Sequence, residues 1–315
     1  MITKILTLPA VRTVLVRVAA LVGSVSILAA AGACSSAGGD DSSPHIVVTT
    51  NVLGDVVGEL VGPAARVDVI MPPGSSPHDY APSPREAAAI RDADVLVVNG
   101  LGFEGGLHDT IEAARTEGVT ILTATDALPE GGADPHGDAH FFTDPILMSS
   151  VVEHLATGLV DHVPGLAGSS FDRRVKAYRS KLADLDADVR RILATVPEDH
   201  RVLVTNHEVF GRFAARYGFE VLGVVVPGGA TLAEPSAAAL VRLSHQIEAT
   251  GVPAIFADAS SPARLVKALA AEGTPVDVVE LYSESLGGPG TDGATYLEMV
   301  RTNAERIAAA LTRPA

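Results

Sequence analysis

Short apolar runs alternate with longer amphipathic segments along most of this 315-residue chain, and this alternation constrains the fold more than any other feature. Runs rich in β-branched residues predict buried strands, and the segments between them have the apolar spacing of helices. Strands and helices that alternate in this way form parallel sheets covered by helices on both faces. The sequence therefore predicts an α/β fold. The predicted strands are residues 46–50, 67–70, 95–98, 119–122, 201–205, 220–226, 254–257 and 276–281.

One segment interrupts the alternation. Residues 171–196 contain no glycine or proline, and their apolar residues recur every three or four positions. This pattern predicts a single helix of roughly 25 residues, about 40 Å long. Because the alternation stops before this helix and resumes after it, we interpret it as a rigid link between two α/β lobes. An ordinary packed helix is the alternative. The predicted division is an N-terminal lobe at 45–165, a linking helix at 166–197 and a C-terminal lobe at 198–315.

The first 33 residues have the composition of an export signal. Lys4, Arg12 and Arg17 are followed by an uncharged, mostly apolar run, residues 18–33, that ends in small residues. The run is shorter than the roughly 20 residues that span a bilayer, which disfavours a permanent transmembrane helix. We therefore expect residues 1–33 to be a signal peptide and the mature protein to work outside the cytoplasm.

Cys34 is the only cysteine, so it cannot form an internal disulfide. It follows small residues and precedes a stretch rich in serine and glycine, so that residues 34–44 are predicted to form a flexible tether. This arrangement resembles a bacterial lipoprotein signal and predicts lipid attachment at Cys34, on the outer face of the cell membrane. Ala31 stands where such signals more often carry leucine, and plain secretion is the alternative.

The charge of the chain narrows the range of partners. Residues 1–33 carry three basic side chains and no acidic one, so their removal changes the formal charge from −15 to −18. An acidic surface attracts cations and disfavours binding to nucleic acid. We expect a monomer that binds no nucleic acid.

Three histidines and an aspartate are candidate metal ligands. His78, His140 and His207 lie in short loops at strand ends or lobe edges, and Asp292 lies in the glycine-rich stretch 287–293. Ligands of open α/β sheets bind beyond the carboxyl ends of strands. If these four side chains converge, three imidazoles and one carboxylate complete the coordination of a divalent transition metal. His136, in the His/Asp-rich tract 134–140, belongs either to a loop that first captures metal or to a polar turn.

Two functions of other classes compete with metal binding. Residues 100–105 match the GxGxxG pattern of dinucleotide-binding proteins, with Asp126 about 20 residues further on, but Glu104 would place a negative charge beside a pyrophosphate. A tight turn is the better interpretation. A zinc hydrolase needs an open coordination position, which a fourth protein ligand would close, and the chain has no HExxH motif. We therefore expect no enzyme activity.

Several motifs resemble the zinc/manganese-receptor family (cluster A-I) of solute-binding lipoproteins, which serve ABC importers. They occur in the same order along the mature chain, at 72–84, 99–104, 140–145, 204–210, 217–219, 234–236 and 296–303. The resemblance implies two α/β lobes joined by one long helix, with metal bound between the lobes. It also implies that His78, His140, His207 and Asp292 are the ligands. Some family members have glutamate at the third position, where this chain has His207.

The predicted ligands favour zinc. Imidazole suits Zn²⁺, whereas Mn²⁺ prefers carboxylate oxygens, and Zn²⁺ outranks Mn²⁺ at a fixed site of nitrogen and oxygen ligands. We expect a receptor that captures Zn²⁺ and delivers it to a membrane permease, with Mn²⁺ or iron as the alternative. A siderophore receptor is a further alternative, disfavoured because aromatic residues make up only 4% of the chain. Since coordination needs neutral imidazoles, affinity should fall below about pH 6.5.

Overall fold

A computed structural model describes residues 43–129, 137–205, 207–224, 251–259 and 276–312, together with six positions between 241 and 249. The predicted signal peptide, Cys34, residues 134–136 and the predicted helix at 262–272 lie outside the described residues, as does most of the predicted helix at 235–250. The described residues from Pro44 onwards form one compact unit.

The first lobe contains a four-stranded sheet in which all neighbouring strands are parallel, in the order β2-β1-β3-β4. Its strands are β1 (His45–Val48), β2 (Arg66–Val69), β3 (Val95–Val98) and β4 (Thr120–Thr123). β1 and β3 are buried on both faces, apart from partly exposed His45, as expected for central strands of a parallel sheet. The helices of this lobe are α1 (Asn51–Val61), α2 (Pro84–Arg91), α3 (His108–Glu117) and α4 (Pro145–His162).

Side-chain caps fix where three of these helices begin. Thr50 accepts a hydrogen bond from the backbone N–H of Leu53 at the start of α1. Ser83 forms a capping box with Glu86 at the start of α2. Asp144 accepts from the first turn of α4. Such caps satisfy N–H groups that have no partner within the helix.

The second lobe repeats the parallel arrangement in the order β6-β5-β7-β8. Its strands are β5 (Val202–Thr205), β6 (Glu220–Val224), β7 (Ala254–Asp258) and β8 (Asp277–Leu281). These two sheets confirm the predicted α/β class with two parallel sheets. The long helix α5 (Ser169–Leu193) lies between the sheets in sequence, and α6 (Gly211–Tyr217) and α7 (Tyr296–Leu311) follow it.

The long helix α5 spans 25 residues, but its bounds differ from those predicted. It begins two residues before Phe171 and ends three residues before Val196, where residues 194–196 form a turn. Its buried face packs against α1 and α4 of the first lobe and against α7 of the second. Asp186 of α5 also binds Arg216 of α6 through two hydrogen bonds of 2.8 and 2.9 Å. The helix is therefore a packed element with partners in both lobes.

Among the described residues, no helix is both long and apolar enough to cross a membrane.

A pair of glycines lets the loop that carries His78 approach the turn before α3. A Cβ atom on Gly105 would lie 2.7 Å from the carbonyl oxygen of His78, and one on Gly106 would lie 2.3 Å from that of Tyr80. Both distances are too short for any side chain. The sequence Gly105-Gly106 therefore determines how closely the backbone at His78 packs on its own lobe.

We predict that Gly106→Ala lowers the free energy of unfolding by about 1–3 kcal/mol, because the added methyl overlaps backbone that cannot move away freely. Gly58→Ala in α1 is the matched control, since its Cβ would meet no atom within 4 Å. The control should stabilise the protein by up to about 1 kcal/mol, because alanine favours the helix. Urea denaturation of both metal-free variants checks this, and equal effects would contradict the close approach at Gly106.

Candidate metal centre

Four side chains converge from loops that follow strands of both sheets. His78 lies in the loop after β2, and His140 lies between β4 and α4. His207 comes two residues after β5, and Glu284 comes three residues after β8. Because the strands of each sheet are parallel, their carboxyl ends share one edge, and the loops that leave this edge can meet. The structure thus brings together the three predicted histidines and a glutamate.

The three imidazoles surround one carboxylate oxygen. Glu284 Oε1 lies 2.7 Å from Nε2 of His78, 3.1 Å from Nε2 of His140 and 2.9 Å from Nε2 of His207. One potential ligand atom from each of the four residues lies within 4.8 Å of the others. The histidine ring centroids are 6.1–6.2 Å apart, and the rings meet edge to face. Each ring therefore turns one nitrogen towards a common point.

Burial of the cluster leaves polar atoms without partners. The side chains of His207 and Glu284 are each 1% exposed, that of His140 is 10% exposed and that of His78 is 15% exposed. Among the described residues, Glu284 Oε2 and both ring nitrogens of His207 have no hydrogen-bond partner of acceptable geometry. Such atoms are costly to bury unless a ligand satisfies them. Three imidazoles and a carboxylate with unpartnered atoms fit a divalent transition metal.

The structure places Asp292 away from the three predicted histidines. This side chain is 58% exposed and lies outside the cluster. Its carboxylate accepts hydrogen bonds from Tyr282 Oη at 2.8 Å and from Arg306 at 2.8 and 2.9 Å. The Tyr282 hydroxyl and the Arg306 guanidinium lower the pKa of Asp292. Arg306, on α7, thus pairs with Asp292 outside the cluster, and Glu284 is the carboxylate that lies among the three histidines.

Glu284 carries a signal that the sequence prediction overlooked. It follows β8 by three residues, much as His207 follows β5 by two. The rule that places ligands at the carboxyl ends of parallel strands therefore selects Glu284 ahead of Asp292, which lies eleven residues after the strand. Distance from the strand end is therefore a better guide to the candidate carboxylate ligand than the glycine-rich stretch 287–293.

Asp138 orients His140. Its Oδ1 lies 2.7 Å from His140 Nδ1 and accepts a hydrogen bond of 2.9 Å from the His140 backbone N–H. The Nε of Arg212, on α6 of the second lobe, lies 3.7 Å from Asp138 Oδ2. A carboxylate on one ring nitrogen fixes the orientation of the ring and leaves the other nitrogen for a metal. The sequence predicted Asp138 only as part of a tract that either captures metal or forms a polar turn, and its partner in the structure is His140.

The cluster shifts the pKa of two of its members. Burial disfavours the charged form of His140, but hydrogen bonds with Asp138 and Glu284 outweigh it and raise the pKa of His140 to about 9. Burial would raise the pKa of Glu284, but the surrounding histidines hold it well below its ordinary value. The contact between the two residues therefore favours the ionised carboxylate of Glu284 and the protonated imidazole of His140.

An apolar wall backs the cluster. The Phe103 ring meets His78 and His140 edge to face, with centroids 5.3 and 5.5 Å apart. Phe142 lies behind, 5.5 Å from Phe103 and 5.9 Å from His140. Apolar rings on this side exclude water, which strengthens electrostatic interactions within the site.

The GxGxxG pattern at residues 100–105 forms a closed turn. Glu104 is buried, and its carboxylate accepts hydrogen bonds from the backbone N–H groups of Asn99 at 2.5 Å and Gly100 at 3.2 Å, and from Thr49 Oγ1 at 2.7 Å. Burial raises its pKa despite these donors. A pyrophosphate would need free N–H groups in such a loop, and Glu104 already occupies these two. The geometry favours the tight turn over dinucleotide binding.

Comparison with known proteins identifies relatives along nearly the whole described chain. This chain is 32% identical over 282 residues to the zinc-binding protein TroA of Treponema pallidum (strain Nichols). The alignment covers 87% of this chain and 90% of TroA. The chain is 28% identical over 279 residues to the manganese-binding lipoprotein MntA of Halalkalibacterium halodurans, covering 87% of this chain and 90% of MntA. The solved structure of the periplasmic zinc-binding protein TroA has a TM-score of 0.80 and covers 86% of this chain and 100% of that one.

The family described as ZnuA, zinc-uptake complex component A periplasmic, matches residues 46–310. This match confirms the resemblance found in the sequence motifs, and it confirms the prediction of a metal-binding uptake component in place of an enzyme. The TroA structure likewise confirms the two-lobed α/β fold. From the match over residues 46–310, we conclude that the chain belongs to the ZnuA family of zinc-uptake complex components.

Proposed function

We propose that this chain is the extracytoplasmic receptor of a metal importer, and that it captures Zn²⁺ with His78, His140, His207 and Glu284. The observation that carries the proposal is the convergence of three imidazole nitrogens on one buried carboxylate that keeps an unpartnered oxygen. The metal ion is transported and is not converted chemically. The site therefore needs only to bind the ion and release it.

The size of the cluster supports a tetrahedral ion. Zinc binds nitrogen and oxygen at about 2.0–2.2 Å, which places tetrahedral ligand atoms about 3.3–3.6 Å apart. The three distances from Glu284 Oε1 to the histidine nitrogens are 2.7–3.1 Å. The Glu284 side chain would therefore have to move outward to make room for the ion, and those ligand atoms that lie up to 4.8 Å apart would have to approach one another.

The balance of ligands favours zinc over manganese. The similar proteins include one named for zinc and one named for manganese, so sequence similarity does not determine which metal this chain binds. Three of the four proposed ligands are imidazoles, which suit Zn²⁺ better than Mn²⁺. Manganese or iron is the second candidate, because the free Glu284 Oε2 could add an oxygen ligand of the kind that Mn²⁺ prefers. The enclosed cluster offers little room for a siderophore.

Metal binding would join the two lobes. His78 and His140 belong to the first lobe, and His207 and Glu284 belong to the second. An ion held by all four favours the arrangement of lobes that brings them together, and a permease can distinguish this arrangement from others. Anchoring through Cys34 on the outer face of the membrane would keep the receptor near that permease. The lipoprotein name of MntA supports this part of the proposal.

We predict that Glu284→Gln and His207→Ala each lower Zn²⁺ affinity by about 100-fold or more. Structural zinc sites bind with about 10–16 kcal/mol, so each of four ligands accounts for about 3 kcal/mol. Asp292→Asn is the matched control, because this carboxylate is exposed and paired with Arg306. Competition with a chromophoric chelator measures all three affinities. Loss of binding in Asp292→Asn together with normal binding in Glu284→Gln would contradict the assignment.

Zinc binding should release a proton. The pKa of His140 is raised to about 9, so below this pH the ion must displace the proton from its Nε2. Apparent affinity should therefore rise with pH up to about pH 9, by up to about tenfold per unit from this group. This range lies above the value of 6.5 expected from an unperturbed histidine. Calorimetry at pH 7.5 in buffers of different ionisation enthalpy should show about one proton released, and the absence of proton release would contradict a protonated His140.

A further inference from the structure

Asn51 lies at the first position of α1, and its buried amide binds two loops that carry proposed metal ligands. We call residues 70–83 the His78 loop and residues 282–287 the Glu284 loop. The amide Nδ2 donates to the carbonyl oxygens of Met71 at 3.2 Å and Pro72 at 3.1 Å, in the His78 loop. Ser285 Oγ, at 3.0 Å, is a third acceptor for the two Nδ2 protons, so one proton is shared between two acceptors, and Oδ1 accepts from the Leu286 N–H at 2.7 Å.

Ser285 completes the connection. Its Oγ accepts a hydrogen bond of 2.7 Å from the backbone N–H of Gly74, in the His78 loop. The same hydroxyl lies 3.3 Å from the carbonyl oxygen of Leu286, to which it donates. Both Asn51 and Ser285 are buried, so these bonds do not compete with bulk water. We call this set of contacts the Asn51–Ser285 bridge.

We propose that the Asn51–Ser285 bridge positions Glu284 relative to His78 and thereby sets how tightly the metal is held. This inference rests on the proposed function. Among the described residues, neither Asn51 nor Ser285 has a hydrogen bond with a ligand atom, so both act through the backbone of the two loops. Ser285 is adjacent to Glu284 in sequence, and Gly74 is four residues before His78. Holding these two points together fixes the distance between a ligand of each lobe before the ion arrives.

Preorganisation of this kind raises affinity because the ion does not have to order the loops itself.

The bridge also requires a neutral amide at position 51. Its donor side faces two carbonyl oxygens and a hydroxyl, whereas its acceptor side faces an N–H group. A carboxylate could accept from Leu286 but could not donate to Met71 or Pro72. Asn51→Asp therefore keeps the shape of the side chain and removes the bonds to the His78 loop.

A purely structural role is the competing explanation, since any buried hydrogen bond between lobes contributes to stability. Tyr296 provides the matched control. Its hydroxyl donates a buried bond of 2.8 Å to the carbonyl oxygen of Phe142 and so joins α7 to the first lobe. Neither residue lies in the His78 loop or the Glu284 loop. Tyr296→Phe removes a bond between lobes without touching the bridge.

The test compares wild type, Asn51→Asp, Ser285→Ala, the double variant and Tyr296→Phe, each loaded with Zn²⁺ or with Co²⁺. Release of metal into excess chelator is followed by stopped flow, and the Co²⁺ absorption bands report coordination geometry. We expect release at least about tenfold faster and altered Co²⁺ bands in Asn51→Asp and Ser285→Ala. The double variant should be little faster than the faster single variant, because both changes break one bridge. Tyr296→Phe should keep the wild-type spectrum and a rate within about twofold.

The results separate this inference from the proposed function. Wild type that binds neither ion would overturn the proposed function and the inference with it. Wild type that binds, with wild-type rates and spectra in Asn51→Asp and Ser285→Ala, would overturn the inference alone. Tyr296→Phe could instead release metal as fast as Ser285→Ala does. This result would mean that the bridge only stabilises the lobes in general, and it would also overturn the inference. Should Asn51→Asp fail to fold, Ser285→Ala, which removes only a small buried hydroxyl, decides the question.

Discussion

A carboxylate buried among three imidazoles is the interaction on which the rest of this structure depends. Glu284 is almost inaccessible to solvent, and a buried charge is tolerated only when nearby groups compensate it. The raised pKa of His140 favours a protonated imidazole, which compensates this charge. A divalent cation can replace the proton and add bonds to atoms that are otherwise unpartnered. The ionised carboxylate therefore gives the site the polarity that favours capture of a cation.

The fold serves this cluster by directing loops from two sheets towards one point. Parallel strands place their carboxyl ends on one edge, so short loops after β2, β5 and β8 and a longer segment after β4 can bring the four side chains together. The neighbouring contacts then restrict each of them. Asp138 holds the ring of His140, the glycine pair at 105–106 lets the His78 loop pack closely, and Asn51 joins that loop to the loop of Glu284. The helix α5 packs against both lobes and connects them.

Much of this architecture could be predicted from periodicity, and the exceptions have physical explanations. The spacing of apolar residues predicts the eight strands and the long helix. The C-terminal end of α5 depends instead on the turn at residues 194–196, which this spacing does not reveal. The three histidines could be predicted because each follows a strand or borders a lobe. Asp292 could not be excluded from sequence, because its partner Arg306 lies fourteen residues away on another element. The bridge formed by Asn51 was equally hidden, since its partners Ser285 and Leu286 lie more than 230 residues along the chain.

The central claim is that one metal ion binds where Glu284 and the three histidines meet. A crystal structure of the protein loaded with Zn²⁺, with diffraction data collected on both sides of the zinc absorption edge, tests it most directly. The account predicts a single anomalous peak within about 2.0–2.2 Å of His78, His140, His207 and Glu284, with Asp292 still paired to Arg306. A peak bound by Asp292, or no peak among the three histidines, would contradict it.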